Sequence, residues 1–105
     1  MYAIVDIETT GGHASGNGIT EIAIYIFDGE KLLDHFHSLI NPFQKIPVYI
    51  TALTGINDAM VAVAPGFEEV AGKVFHLLSN KVFVAHNVNF DYSFLKYQLK
   101  QSGYD

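Results

Sequence analysis

The chain has 105 residues, half of them hydrophobic and 13% aromatic, with a formal net charge of −5. That length suits one small domain, and that apolar share can bury a core, which excludes a disordered chain. Cysteine is absent, which excludes disulfides, thiolate catalysis and cysteine zinc sites, and all six basic residues are lysines.

Met1 to Thr9 reads as a buried strand, yet it carries Asp6 and Glu8. Side chains alternate along a strand, so these two carboxylates leave the same face, with Cα atoms about 6.6 Å apart. Two like charges so close on an apolar strand need a positive partner. Gly11 to Gly18 (GGHASGNG) is a loop of turn formers. Ile19 to Phe27 is a second strand with Ile22, Ile24 and Ile26 on one face, and Asp28-Gly29 signals a hairpin into a third strand, Lys31 to Ile40. Pro47 fits the first turn of a short helix and Gly55 its C-terminal cap. Phe67 to Leu78 has apolar residues at helical spacing. Lys81 to Ala85 is a short apolar strand that follows a helix, so it is expected to be buried and parallel to the first. Asn89 fits the N-cap of a last helix in which Phe90, Phe94 and Tyr97 share a stripe.

These elements predict an α/β layer: an antiparallel meander of strands 1–3, then a crossover to a parallel fourth strand, in the sheet order 3-2-1-4. The C-terminal ends of strands one and four then lie side by side, where open α/β sheets form ligand crevices. Asp6 and Glu8 end strand one, and Asp91 falls in the first turn after strand four. No lysine lies within two residues of any of them, and Lys81 is at the wrong end of strand four. A hard divalent cation with oxygen ligands, Mg²⁺ or Mn²⁺, is the simplest counter-charge. Two plainer readings stay open: Asp91 as a group that complements the helix dipole, and Asp6 as a buried carboxylate satisfied by backbone N–H groups.

The stretches DIETTG (residues 6–11) and AHNVNFD (residues 85–91) resemble the first and second motifs of the DnaQ-like (DEDD) 3′–5′ exonucleases. TGI at 54–56 is similar to that family's connecting segment. The resemblance spans the chain in the family's order and leans toward the branch of the epsilon proofreading subunit of bacterial DNA polymerase III. It implies a ribonuclease H-like fold and two divalent metal ions held by carboxylates. Asp6 would bridge both ions, Glu8 would bind the one that activates water, and Asp91 would serve the second. The implied reaction is release of nucleoside 5′-monophosphates from a DNA 3′ end. Thr9, the backbone near Thr10, Ile56 and Phe90 would contact the terminal nucleotide, with His86 and Asn87 shaping the strand-to-helix turn beside it. Phe90 reads equally well as a core aromatic. His86 is not the implied base, because the family's catalytic histidine comes from a third motif, His-x₄-Asp.

No His-x₄-Asp follows residue 91 in this sequence, and Asp105 is too close to the second motif to fill that role. The expectation is a single partial exonuclease domain over 1–105, lacking the C-terminal strand and helix and inactive or nearly so alone. Strand four would then present an exposed apolar edge, a template for homodimerisation. His35 and His37 share a strand face without an acidic third ligand in sequence, and His13 and His76 give no signal. The expected partners are a single-stranded DNA 3′ end and a polymerase subunit. RNA is the alternative substrate, and a non-catalytic nucleic-acid or polymerase-binding module is the alternative function. The −5 charge and a basic patch of only Lys96 and Lys100 argue against holding nucleic acid by phosphate neutralisation alone, a limit that metal ions would lift. No apolar run spans a bilayer and no charged n-region opens the chain, so the expected location is cytoplasmic.

Overall fold

The computed structural model describes residues 1–104; Asp105 lies outside them. Strand β1 (Tyr2–Thr9) pairs antiparallel with β2 (Ile19–Phe27), which pairs antiparallel with β3 (Leu32–Leu39). Strand β4 (Val82–Val84) pairs parallel with β1, giving the sheet order β3-β2-β1-β4. The Asp28-Gly29 turn works as its composition implies. Asp28 Oδ1 accepts the backbone N–H groups of Glu30 and Lys31, each at 2.8 Å, and Gly29 takes φ 106°.

Alternation decides which face is covered. Ala3, Val5 and Ile7 of β1, with Ile22, Ile24 and Ile26 of β2, are all buried. They pack against helix α3 (Phe67–Leu78), through Phe67, Ala71, Val74 and Leu77, and against helix α4 (Val88–Gln101), through Phe94 and Leu95. Helix α3 starts at Gly66, whose N–H is accepted by the Glu69 carboxylate at 2.8 Å. The opposite face of the sheet carries Tyr2, Ile4, Asp6 and Tyr25, all exposed.

Helix α1 (Val48–Thr54) begins one residue after Pro47 and ends at Gly55, whose φ of 78° suits a residue without a Cβ. Helix α2 (Asp58–Ala62) was not expected; Asn57 caps it by accepting the Met60 N–H at 2.9 Å. It builds a second small cluster, Ile46, Ile56 and Val61.

Three local expectations are corrected. Strand β4 is parallel to β1 but not buried: Val82 and Val84 are exposed, because the outer sheet face is bare and β4 has β1 on one side only. The N-cap of α4 is Asn87 rather than Asn89, so the helix starts a residue earlier than Asn89 itself. Tyr97 leaves the Phe90–Phe94 stripe and is exposed, while Phe90 and Phe94 pack with ring centroids 5.0 Å apart.

Candidate active site

The parallel register sets the crevice. Ile4 is opposite Val84, where β4 stops, so β1 runs on through Asp6 and Glu8 with β2 as its one remaining neighbour. The chain leaves β4 through Ala85, His86 and Asn87 and turns into α4. The first turn of α4 carries Asp91 back against β1. There its carboxylate is buried near the backbone N–H of Ile7. Asp91 therefore does more than complement a helix dipole, because it is buried against the end of β1.

The charges confirm the crowding. Burial raises the Glu8 carboxyl above its ordinary value, and Asp6, Glu21 and Asp91 raise it further. Burial likewise raises Asp91, with Asp6 adding to it, while the N–H groups of Ile7 and Asp91 and the His86 imidazole pull the other way. Among the described residues no lysine ion-pairs with any of the three; the recorded ion pair joins Glu21 and His37. The strand order leads one to expect the three carboxylates on one crevice; among the described residues no three His, Asp or Glu side chains gather closely enough to form a ready-made ion site.

The donor set nonetheless fits a divalent cation. It is all carboxylate oxygen, it lacks a cationic side-chain partner, and two of its members are held less acidic than usual by burial and by one another. Asp6, Glu8 and Asp91 are the residues that would hold it. When bound, such ions supply charge stabilisation for the attacking and leaving oxygens of a phosphodiester displacement.

The substrate residues expected from sequence divide. His86 and Asn87 are exposed on the turn that flanks the crevice, and Thr9 is buried with its hydroxyl donating to Gly11 O at 2.7 Å. Thr10 is a structural latch: its side chain is buried, its hydroxyl lies 3.0 Å from Asn17 Oδ1 and 2.9 Å from Gln44 Oε1, and it accepts the Gly18 N–H. Its backbone N–H is given to Gly18 O at 2.9 Å. Ile56 is corrected. At 4% exposure it belongs to the cluster with Ile46 and Val61 and offers almost no surface to a ligand. Phe90 is half-buried against the main core.

Sequence reasoning missed Glu21 and His37. Glu21 lies directly across the ladder from Glu8, and His37 reaches it from β3 with Nε2 2.6 Å from Oε2. His37 thus has an acidic neighbour on β2 rather than on its own strand face. His35 instead stacks on Tyr25, with centroids 6.2 Å apart.

The raised carboxyls fix the sign of a pH effect. Glu8 and Asp91 hold protons more tightly folded than unfolded, so the stability they contribute falls as pH rises from the ordinary carboxylate range through their raised values. Metal-free thermal melts of Glu8→Gln and Asp91→Asn are therefore expected to show a flatter loss of Tm between pH 4 and pH 7 than the unaltered chain. Saturating Mn²⁺ at pH 7 is expected to stabilise the unaltered chain by about 2.7 kcal/mol at a hundredfold excess over Kd. The gain should shrink near pH 4, where protons compete for the same oxygens. Asp28, lowered by the Lys31 and Glu30 N–H groups, acts only below this window.

A mixed sheet whose central strand ends in paired carboxylates, met by an aspartate from the next crossover helix, defines a ribonuclease H-like nuclease domain. The Exonuclease family (RNase_T) matches residues 3–105, and the chain belongs to that family. Its relatives include the 3′-5′ exonuclease DinG of Bacillus subtilis (strain 168), 40% identical over 104 residues, and that of Staphylococcus haemolyticus (strain JCSC1435), 43% identical over 95 residues. These alignments cover 98% and 90% of this chain but 11% of each relative, so the chain spans about a tenth of their length. Among solved structures, Exonuclease X in complex with 5′ overhanging duplex DNA is 34% identical with TM-score 0.76, covering 90% of this chain and 54% of that one. Exonuclease I shares the fold at TM-score 0.88 and 18% identity, covering 99% of this chain and 24% of that one. The ribonuclease H-like architecture expected from the motifs is the one found, and the domain is of a class that hydrolyses phosphodiester bonds. Exonucleases of this family use divalent metals.

Proposed function

We propose that this chain is the front of a metal-dependent 3′–5′ exonuclease site that removes nucleoside 5′-monophosphates from DNA 3′ ends. The observation that supports it most is electrostatic: burial and Asp6 raise the carboxyls of both Glu8 and Asp91, no lysine among the described residues pairs with any of the three, and the chain belongs to the exonuclease family. In this reading Asp6, Glu8 and Asp91 hold two Mg²⁺ or Mn²⁺ ions, with Asp6 shared between them. His86 and Asn87 border the terminal nucleotide, and Thr9 and Thr10 fix the loop that walls it. The relatives named 3′-5′ exonuclease and the Exonuclease X complex with DNA favour a DNA substrate. Proofreading beside a polymerase subunit is the role suggested by the likeness of DIETTG to the epsilon subunit.

No His-x₄-Asp follows residue 91 in these 105 residues, so no histidine of that motif takes the proton from water. A positioned base contributes typically about 10²- to 10⁴-fold. Slow turnover by this chain alone is therefore part of the reading. The test is a 5′-labelled single-stranded oligonucleotide with Mn²⁺, in DNA and RNA forms, each with a free or a blocked 3′ end. Stepwise shortening of the free-ended DNA supports the reading, and a preference for RNA moves the substrate assignment. Binding of the 3′ end without Mn²⁺ and without shortening favours a non-catalytic binding module.

A further inference from the structure

Glu21 and His37 form a hydrogen-bonded pair on the same sheet face as the carboxylates of β1. Glu21 is opposite Glu8 and Ala23 is opposite Asp6 on the β1–β2 ladder. His37 is opposite Ala23 on the β2–β3 ladder. The methyl of Ala23 leaves the groove floor low, and His37 leans across to Glu21, with Nε2 2.6 Å from Oε2. Asp6, Glu8, Glu21 and His37 line one groove. Side chains directly opposite on an antiparallel ladder have Cβ atoms about 4.5–5.5 Å apart, and like charges there are unfavourable. A surface strand has no need of two facing glutamates for stability. Placed beside a cation site, the second glutamate adds attraction for the ion at the cost of crowding the first. The imidazole holds that second carboxylate toward β3, away from Glu8.

We propose that Glu21 is a positioning residue that strengthens the hold of the Glu8 side of the site on a divalent cation, and that His37 restrains it. The inference rests on the metal-site reading given above. Its sense follows from charge. Removing Glu21 takes one negative charge from beside the ion, which at about 8 Å in a solvent-exposed groove changes the Kd about fivefold. Removing His37 frees the Glu21 carboxylate to approach the ion. The two substitutions therefore act in opposite directions, which a purely structural loss at either position would not produce.

The experiment is calorimetric titration of Mn²⁺ into the unaltered chain, Glu21→Gln, His37→Gln, the double variant and Asp6→Asn, with a thermal melt of each as the fold control. The expected result is weaker binding for Glu21→Gln by about fivefold, tighter binding for His37→Gln, and a double variant that matches Glu21→Gln because His37 acts through Glu21. Unchanged Kd values in both single variants, with binding still lost in Asp6→Asn, overturn this inference and leave the metal site standing. The same conclusion follows if His37→Gln has the same effect with and without Glu21. If the folded unaltered chain binds no Mn²⁺, the metal-site reading fails and this inference fails with it.

Discussion

Replacing Phe94 by alanine is expected to destabilise the domain by about 3–5 kcal/mol, the usual cost of emptying a buried phenylalanine site. Phe94 is fully buried and is the largest such side chain in the core. Its ring lies 5.0 Å from that of Phe90, and it anchors α4 in the cluster that covers β1 and β2. A chain this size has about 5–15 kcal/mol to lose, and each kcal/mol moves Tm by about 4–8 °C. A fall in Tm of about 15 °C or more is expected by calorimetry or circular dichroism. The consequence reaches the site, because Asp91 is one turn before Phe94 and its carboxylate meets β1 only while α4 is seated. Mn²⁺ affinity should drop in Phe94→Ala although no ligand has been altered. Tyr97→Ala, on the exposed side of the same helix, is expected to cost under about 1 kcal/mol and to leave Mn²⁺ affinity unchanged.

Asp6→Asn is expected to abolish 3′–5′ cleavage, by about 10³-fold or more, while raising the Tm of the metal-free protein. The two effects have one cause. Asp6 raises both the Glu8 and the Asp91 carboxyls, so its charge strains the fold when no cation is present. The same charge is what the proposed site needs to hold its ions. Losses of about 10²–10³ attend removal of a single charge-stabilising group at an acyl-transfer site, and a residue shared by two ions should cost at least as much. Single-turnover cleavage in a longer protein that carries this domain with a His-x₄-Asp segment measures the first effect, and a melt of the chain itself measures the second. A variant that melts higher but cuts normally would separate Asp6 from the chemistry.

The sheet was legible because its signals are local. Ile22, Ile24 and Ile26 mark one face by strict alternation, and Asp28-Gly29 places the β2–β3 turn. Helix α3 was legible over Phe67–Leu78 because twelve residues give a full apolar stripe. Helix α2 was not, since five residues make little more than one turn and show no periodicity; its one clue was Asn57, a good N-cap. An all-apolar β4 suggested burial, but an apolar run does not reveal whether both faces are covered. The DxE pair and Asp91 stood out as charges in apolar surroundings, whereas the fate of Thr10 depends on a partner far along the chain, Gln44, and that of Ile56 on the small cluster that α2 completes through Val61. Glu21 was hidden for a similar reason. The hairpin at Asp28 fixes which residue His37 faces, but the long loop from Gly11 to Gly18 does not fix which residue of β2 faces Glu8. That register also includes a bulge between Glu8 and Thr9 that no composition signals.

The central claim is that the opening carboxylates form a metal and nucleotide site. Calorimetric titration of Mn²⁺ into the chain, with and without a nucleoside 5′-monophosphate and repeated on Asp6→Asn, tests it most directly. The account predicts Mn²⁺ binding that the nucleotide tightens and that Asp6→Asn removes while the variant stays folded. Nucleotide binding that ignores Mn²⁺, or Mn²⁺ binding that survives Asp6→Asn unchanged, would contradict it.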